Sequence, residues 1–267
     1  MNKLLITLIL LLSATVCAIA QELKYSKNST LTRRSDLKLE GNTISFFGRQ
    51  IELDKNGFPR QIKTFFNPDV TGFVATPTLL LYENIHFHFV RKRDGKNIVL
   101  KDGGVQFLKK SARQIKWKSK NENDSLVVEV NGRLGADGFL IYTVKLKALR
   151  AVELKDVTMH IPFIPTAANE MMGFGIADGK RPEKVEWKWD GAFANQNGAW
   201  LGSASAGLQY SLQPGAWANN NNGGVTIGIK GSSMLANNYT GEHKMQIGDV
   251  LHYNFTLLVT PLQFVIK

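Results

Sequence analysis

Two histidines separated by one residue are the first side chains in this sequence that could bind a metal ion. His86 and His88 flank Phe87, and residues two apart in a β-strand point to the same face of the sheet. A catalytic metal site usually has three protein ligands, and no third ligand is evident nearby in the sequence. We therefore expect two hydrogen-bonded histidines on a strand face, and we predict neither a metal site nor a cofactor.

Two tryptophans with the same spacing suggest a different chemistry, the stacking of aromatic rings on sugars. Trp187 and Trp189 are separated by Lys188 and share a strand face, while the neighbouring carboxylates could accept hydrogen bonds from sugar hydroxyls. The alternative is that the indoles fill the core, as large aromatic side chains often do. The predicted carbohydrate-binding residues are Trp187, Trp189, Trp200, Trp217, Glu186 and Asp190.

Paired carboxylates could supply the acid and base of a glycosidase, which uses two of them about 5–10 Å apart. The candidate pairs are Glu183 with Glu186, Glu186 with Asp190, and Glu153 with Asp156. Acidic residues that border strands are normally solvated, and a site would need perturbed pKa values in a cleft. The sequence also has no G-x-S-x-G elbow and no glycine-rich phosphate loop. We therefore predict no catalytic residue.

These candidate residues lie among segments whose alternation of apolar and polar side chains predicts β-strands. Residues 138–149, 152–161 and 251–260 are the longest such segments, and turn signals such as Asp102-Gly103-Gly104 separate them. Only residues 166–172 could form a helical turn or two. Many strands and few helices predict an all-β fold, a large antiparallel β-sandwich with little helix.

The amino terminus has the layout of a secretory signal peptide. Lys3 precedes an apolar run over residues 4–12, and residues 18–20 form a small-x-small cleavage site. The run is shorter than the about 20 residues of a transmembrane helix. Lipid attachment at Cys17 is an alternative, although the residues before it do not fit the lipoprotein motif. We predict export to the periplasm, the cell surface or the medium, with no integral membrane span.

Beyond the signal peptide, residues 1–20, the sequence divides into a polar leader, residues 21–38, and a β-sandwich domain, residues 39–267. The full chain carries 33 lysines and arginines against 22 aspartates and glutamates. The basic residues are scattered along the chain, and no nucleic-acid-binding motif accompanies them. We predict a solvated basic surface, with attraction to anionic glycans as the next alternative and no nucleic-acid partner.

Several segments, in their order along the chain, resemble a known family. They are residues 44–53, 57–66, 137–146 and 154–162, followed by the stretch from Met171 to Tyr210 that contains Trp187-Lys188-Trp189. Their order and spacing resemble the amino-terminal β-sandwich of secreted bacterial proteins similar to glycoside hydrolase family 123. The resemblance covers nearly the whole chain after the leader.

The resemblance implies a sandwich followed by a (β/α)₈-type catalytic barrel that acts on β-linked N-acetylgalactosamine. The Asp-Glu pair of that family belongs to the barrel, and this sequence ends at Lys267, where the barrel would begin. The resemblance therefore implies a non-catalytic domain that supports a catalytic barrel or contacts glycan, and the chain alone is not expected to be an enzyme. The alternatives are the front part of an intact hydrolase acting on N-acetylgalactosamine-containing glycans, and a structural envelope protein.

Overall fold

The computed structural model describes residues 36–191 and 195–263. These residues all belong to one compact unit, Arg34–Lys267. The predicted signal peptide and all but the last three residues of the predicted leader lie outside the described residues.

An antiparallel five-stranded sheet begins the described chain. Its strands, numbered in chain order, are β1 (Lys38–Glu40), β2 (Thr43–Phe46), β3 (Arg49–Leu53), β4 (Pro59–Phe66) and β5 (Phe73–Leu79). The buried Arg49 ties this sheet to the last strand among the described residues, Phe255–Thr260, because its Nη1 donates to the carbonyl of Val259 at 2.8 Å. The guanidinium also lies 4.6 Å from the centre of the Phe46 ring, and burial lowers the pKa of Arg49 to about 10.

The largest sheet is antiparallel and has ten strands. They are β7 (Gln106–Ser111), β8 (Gln114–Glu122), β9 (Leu126–Gly135), β10 (Phe139–Ala148), β12 (Glu170–Gly173), β13 (Ile176–Lys180), β15 (Gly198–Ser203), β16 (Ala206–Leu212), β20 (Val250–His252) and β21 (Phe255–Thr260). Their order is β13-β12-β15-β16-β21-β10-β9-β8-β7, with β20 also pairing with β10. Every second side chain of β10, from Leu140 to Ala148, is buried, which confirms the alternation predicted from the sequence.

A six-stranded antiparallel sheet forms the second layer. Its strands are β6 (His86–Arg91), β11 (Val152–Phe163), β14 (Lys184–Lys188), β17 (Gly224–Lys230), β18 (Ser233–Tyr239) and β19 (His243–Met245). The order β14-β17-β18-β11 continues to β6, which pairs with the other edge of β11. β19 pairs with β11 at its amino-terminal end.

The helical content of the described residues is limited to two short 3-10 turns, Pro165–Ala167 and Asn219–Asn221. The helical segment expected over residues 166–172 is corrected, because Glu170–Gly173 forms a strand that pairs with neighbours on both sides. The fully buried Met171 anchors that strand in the core. Within residues 36–191 and 195–263, no helix has the length and apolar character needed to cross a membrane.

The inner faces of the sheets meet in one hydrophobic core. The loop residue Phe58 bridges them, with its ring centre 5.5 Å from Phe87 of β6 and 5.4 Å from Tyr142 of β10. Tyr142 in turn stacks on Phe255 at 4.8 Å. The protein is therefore an antiparallel β-sandwich with little helix, as the sequence predicted.

We expect Tyr142→Phe to leave the free energy of unfolding within about 0.5 kcal/mol of the wild type, or to raise it. The Tyr142 hydroxyl is buried and meets no hydrogen-bond partner among the described residues, and burial raises the pKa of this phenol well above its ordinary value. Removing an unpaired buried polar group abolishes its desolvation cost. Urea unfolding of the purified chain measures the change.

Trp117→Phe is the matched control for Tyr142→Phe. The Trp117 indole N–H donates to the carbonyl of Gly57 at 2.9 Å in the buried core, so its loss leaves that carbonyl unpaired and should cost about 1–3 kcal/mol. A loss above about 1.5 kcal/mol in Tyr142→Phe itself would contradict the unpaired state of the hydroxyl.

Candidate functional site on the outer face of the six-stranded sheet

A row of hydrogen-bonding side chains crosses the outer face of the six-stranded sheet. The strand register places one residue from each of five adjacent strands opposite the next, in the order Glu186, Thr226, Asn237, His160 and His86. Directly opposed residues of antiparallel strands lie about 4.5–5.5 Å apart at Cβ, so the five side chains form one continuous line. We call these five residues the polar row.

The alternation of each strand explains why these residues point outward. Val225 and Ile227, on either side of Thr226, are fully buried, as are Met159 and Ile161 on either side of His160. Since successive side chains of a strand point to opposite faces, burial of these apolar neighbours directs the polar residue between them outward.

Hydrogen bonds fix the orientation of the row. The Asn237 amide donates to the Thr226 hydroxyl at 3.4 Å, and the Asn237 side chain is also hydrogen-bonded to His160. His86 Nδ1 lies 2.8 Å from the carbonyl oxygen of Asn84. Because a carbonyl can only accept, His86 Nδ1 carries the proton, and its Nε2 presents a lone pair in the neutral ring.

Three imidazoles converge at one end of the row. His86, His88 and His160 each place a ring nitrogen within 4.8 Å of the others, and their ring centres are 4.5–5.1 Å apart. We call this group the histidine cluster. The expectation of two histidines without a third partner is therefore corrected, because the pairing of β6 with β11 brings His160 directly opposite His86. The remaining signal in the sequence is the outward position of His160 in a long alternating strand, which does not identify the pairing partner.

Burial and mutual repulsion lower the pKa values of two of the three rings, His88 and His160. Burial lowers the pKa of His160 to about 3, with His88, His86 and Lys230 adding to the effect and the hydrogen bond to the Asn237 side chain opposing it. The pKa of His88 is also lowered, first by burial and then by His86 and Lys230. At neutral pH both rings are therefore neutral and retain an unprotonated nitrogen.

A cleft opens beside the histidine cluster, at the edge of β6 that faces away from β11. It has a volume of about 240 Å³, and its lining includes His86, His88, Asp54, Asp102 and several asparagines. Burial, followed by the charge of Asp54, raises the pKa of Asp102. We call this space the edge cleft. Its carboxylates were not among the pairs suggested by the sequence, because the two aspartates lie in loops far apart along the chain.

A wider groove opens around Thr226 and Asn237, away from the histidine cluster. It has a volume of about 620 Å³, is lined by Thr226 and Asn237, and carries the cations Arg181, Lys184 and Lys230. We call it the basic groove. The polar row therefore extends from the basic groove, which Thr226 and Asn237 line, to the edge cleft, which His86 lines.

The structure places the two predicted carboxylates at the surface. Glu186 belongs to the polar row and pairs with Lys184, whose hydrogen bond lowers the pKa of Glu186. Asp190 is exposed in the turn after β14. Its charge reaches Tyr239, whose pKa is raised first by burial and then by Glu186, Asp156 and Asp190.

Three of the four predicted tryptophans lie in the core instead of on a surface. Trp187, Trp189 and Trp217 are 4%, 9% and 1% exposed. The alternation of β14 that exposes Glu186 sends Trp187 inward, where its ring centre lies 5.0 Å from Phe174 and 4.9 Å from Trp189. With their rings packed on protein, these indoles do not form the predicted stacking platform in this conformation.

Trp200 is half-buried and lies on the large sheet, apart from the polar row. Its ring covers two glycines, because a Cβ on Gly207 would lie 2.3 Å from Nε1 and a Cβ on Gly202 would lie 2.8 Å from the ring. The indole N–H donates to the Thr260 hydroxyl at 2.8 Å. Trp200 therefore does not extend a surface around Glu186.

Of the predicted carboxylate pair Glu153 and Asp156, the first is exposed and the second binds the backbone of a turn. Glu153 lies at the surface, 3.7 Å from the ammonium of Lys244. Asp156 Oδ1 accepts hydrogen bonds from the backbone amides of Thr240 and Gly241 at 3.1 and 2.8 Å. Burial raises the pKa of Asp156 despite these bonds, and its carboxylate holds the turn after β18.

Comparison with known proteins identifies the family of this sandwich. A protein-family profile described as the third domain of glycoside hydrolase 123 matches residues 37–261. The chain is thus a β-sandwich domain of a carbohydrate-active enzyme family, and it belongs to the glycoside hydrolase 123 third-domain family. The resemblance to this family seen in the sequence is confirmed; the profile describes a third domain, where the sequence resemblance suggested an amino-terminal one.

Solved structures show similar architecture at low identity. A galactose mutarotase related enzyme from Lactobacillus acidophilus is 9% identical, with 87% of this chain and 99% of that chain covered and a TM-score of 0.48. A putative aldose 1-epimerase from Escherichia coli K12 is 11% identical, with 82% and 98% covered and a TM-score of 0.48. Heparan sulfate lyase HepC from Pedobacter heparinus is 8% identical, with 84% and 34% covered and a TM-score of 0.43. A comparison with curated proteins found no match.

Proposed function

We propose that this chain is a non-catalytic β-sandwich domain of a glycan-degrading enzyme system and that it contacts glycan along the polar row. Membership of a glycoside hydrolase family supports the glycan context. The observation that carries the proposal is the continuous line of five hydrogen-bonding side chains, Glu186 to His86, that extends from the basic groove to the edge cleft. The proposal includes export, which the predicted signal peptide supports.

The chemistry of the row suits sugar hydroxyls, which both donate and accept hydrogen bonds. The Glu186 carboxylate accepts, while the Thr226 hydroxyl and the Asn237 amide can do both. The basic groove carries three cations against one lining glutamate, Glu183, which favours a neutral or acidic glycan over a basic one. The glycan would lie across the strands, with one end in the basic groove and the other near the edge cleft.

A glycan array followed by calorimetric titration of a bound glycan tests the proposal. We expect the purified chain to bind N-acetylgalactosamine-containing glycans, and we expect Glu186→Gln and Thr226→Val each to weaken binding about 2–12-fold, the value of one net hydrogen bond. Neither residue belongs to the histidine cluster, and a chelator in the buffer removes any contribution from metal ions.

Matched substitutions on the large sheet serve as controls. Glu129 is exposed on β9 and Thr256 is half-buried on β21, so Glu129→Gln and Thr256→Val repeat the same chemical changes away from the row and should bind like the wild type. Absence of binding across the array, or equal binding by a Glu186→Gln/Thr226→Val double variant, would overturn glycan contact at this face. Turnover of an aryl β-N-acetylgalactosaminide by the purified chain would overturn the non-catalytic assignment.

A further inference from the structure

We propose that His86, His88 and His160 together bind one divalent transition-metal ion, and that Zn²⁺ is the ion best suited to them. This site goes beyond the proposed glycan contact and does not depend on it. It rests on the convergence of three imidazole nitrogens, on the groups that orient two of the rings, and on the open cleft beside them.

The spacing of the three rings is close to that of a metal site. Zinc–imidazole bonds of about 2.0–2.1 Å place tetrahedral donor atoms about 3.3 Å apart. The ring nitrogens of the histidine cluster lie within 4.8 Å of one another, so modest side-chain rotations bring them onto one ion. His86 and His160 stand directly opposite on paired strands, and His88 follows two residues later on the same face. The ligands therefore project from rigid elements.

Outer partners orient the rings as they do in metal sites. Metal-binding histidines almost always donate their second N–H to a carbonyl, a carboxylate or water, which fixes the tautomer. His86 donates from Nδ1 to the carbonyl of Asn84 at 2.8 Å, and His160 is hydrogen-bonded to the side chain of Asn237. In the His86 ring, Nε2 is therefore left for the ion.

The surroundings of His88 and His160 favour the neutral form of these two rings. A metal ion binds the unprotonated imidazole, and burial and mutual repulsion lower the pKa values of His160 and His88. Two charged side chains also act on His88: Lys230 lowers its pKa, and Glu83 raises it. The cation of Lys230 opposes a bound ion and the carboxylate of Glu83 favours it, so these two charges act in opposite directions.

The donor set selects the class of ion. Three imidazole nitrogens suit zinc, copper, nickel and iron, whereas Ca²⁺ and Mg²⁺ take oxygen ligands. Three protein ligands leave the fourth position of a tetrahedral ion open to water or a ligand. Two of the ligands, His86 and His88, also line the edge cleft, which gives that position access to solvent.

Metal titration of the purified full-length chain tests the proposal without any glycan. After treatment with a chelator, calorimetric titration with ZnCl₂ should show one ion per chain, and MgCl₂ should show no binding. His88→Gln and His160→Gln should each weaken Zn²⁺ binding by more than the 10–100-fold typical of losing an outer partner. His252→Gln is the control, because His252 is exposed on β20 in the other sheet, and it should bind Zn²⁺ like the wild type.

Loading with Co²⁺ counts the ligands directly in the wild-type protein, which guards against variants that fail to fold. Paramagnetically shifted imidazole proton resonances should report three bound histidines, and visible absorption should report a tetrahedral ion. Absence of Zn²⁺ binding, unchanged binding in both His88→Gln and His160→Gln, or fewer than three bound histidines in the Co²⁺ spectrum would overturn the site and leave the cluster a packing feature. None of these outcomes bears on glycan binding measured in the presence of a chelator.

Discussion

Trp217→Ala is expected to lower the free energy of unfolding by about 3–5 kcal/mol, the usual cost of truncating a buried large aromatic side chain. The indole is 1% exposed. Its ring centre lies 5.9 Å from Phe87 and 5.0 Å from Tyr253, and its N–H donates to the carbonyl of Asn254 at 2.8 Å. Truncation removes these aromatic contacts and one of the two hydrogen bonds that the Asn254 carbonyl accepts, the other coming from the backbone amide of Gln213 at 3.0 Å.

Urea unfolding of the wild type and of the Trp217→Ala variant measures this loss in the free energy of unfolding. Tyr82→Ala is the control for removal of a large aromatic ring, since Tyr82 is 54% exposed, and it should change the free energy of unfolding by no more than about 0.5 kcal/mol. A Trp217→Ala protein that kept its stability but lost glycan binding would contradict the core placement and restore Trp217 to a stacking surface.

Gly132→Val is expected to destabilise the protein by about 3 kcal/mol, at the upper end of the usual cost of overpacking a core. Gly132 of β9 stands between Trp117 of β8 and Tyr142 of β10 in the strand register. The two aromatic rings meet edge to face over the glycine, with centres 5.8 Å apart. A Cβ at position 132 would lie 2.2 Å from the Trp117 ring, which is fully buried.

A double-mutant cycle separates this clash from any effect on the backbone. In a Trp117→Leu background, Gly132→Val should cost less than in the wild type, with a coupling energy of about 0.5–3 kcal/mol between the two sites. Gly228→Val on β17 is the matched control, because a Cβ there meets nothing closer than 3.6 Å. Equal costs in the two backgrounds would show that the Trp117 ring does not occupy the space above Gly132.

Local patterns were sufficient to predict much of the fold. The alternation over residues 138–149 depends only on neighbouring residues and became β10, and the overall pattern correctly predicted an antiparallel sandwich. The segment over residues 166–172 was misjudged, because Pro165 does open a 3-10 turn but long-range pairing converts Glu170–Gly173 into a strand. Local propensity is easily overridden where a strand can complete a sheet.

The candidate site could be predicted only in part from local sequence patterns. The sequence alone established that Glu186 and Trp187 point to opposite faces of one strand, and that His86 and His88 share a face. It could not establish which face is buried, because that depends on the sheet packed against the strand. The structure decided that the indole of Trp187 points into the core and that Glu186 points outward.

The sequence by itself determined the all-β class and the resemblance to the glycoside hydrolase 123 family, because both are carried by local pattern and by the order of motifs. Only the tertiary structure determined that His160 meets His86 and His88, and that five separate strands contribute one polar row. Those contacts depend on strand pairing between segments distant in sequence, and register is a property of the assembled sheet that alternation within one strand does not specify.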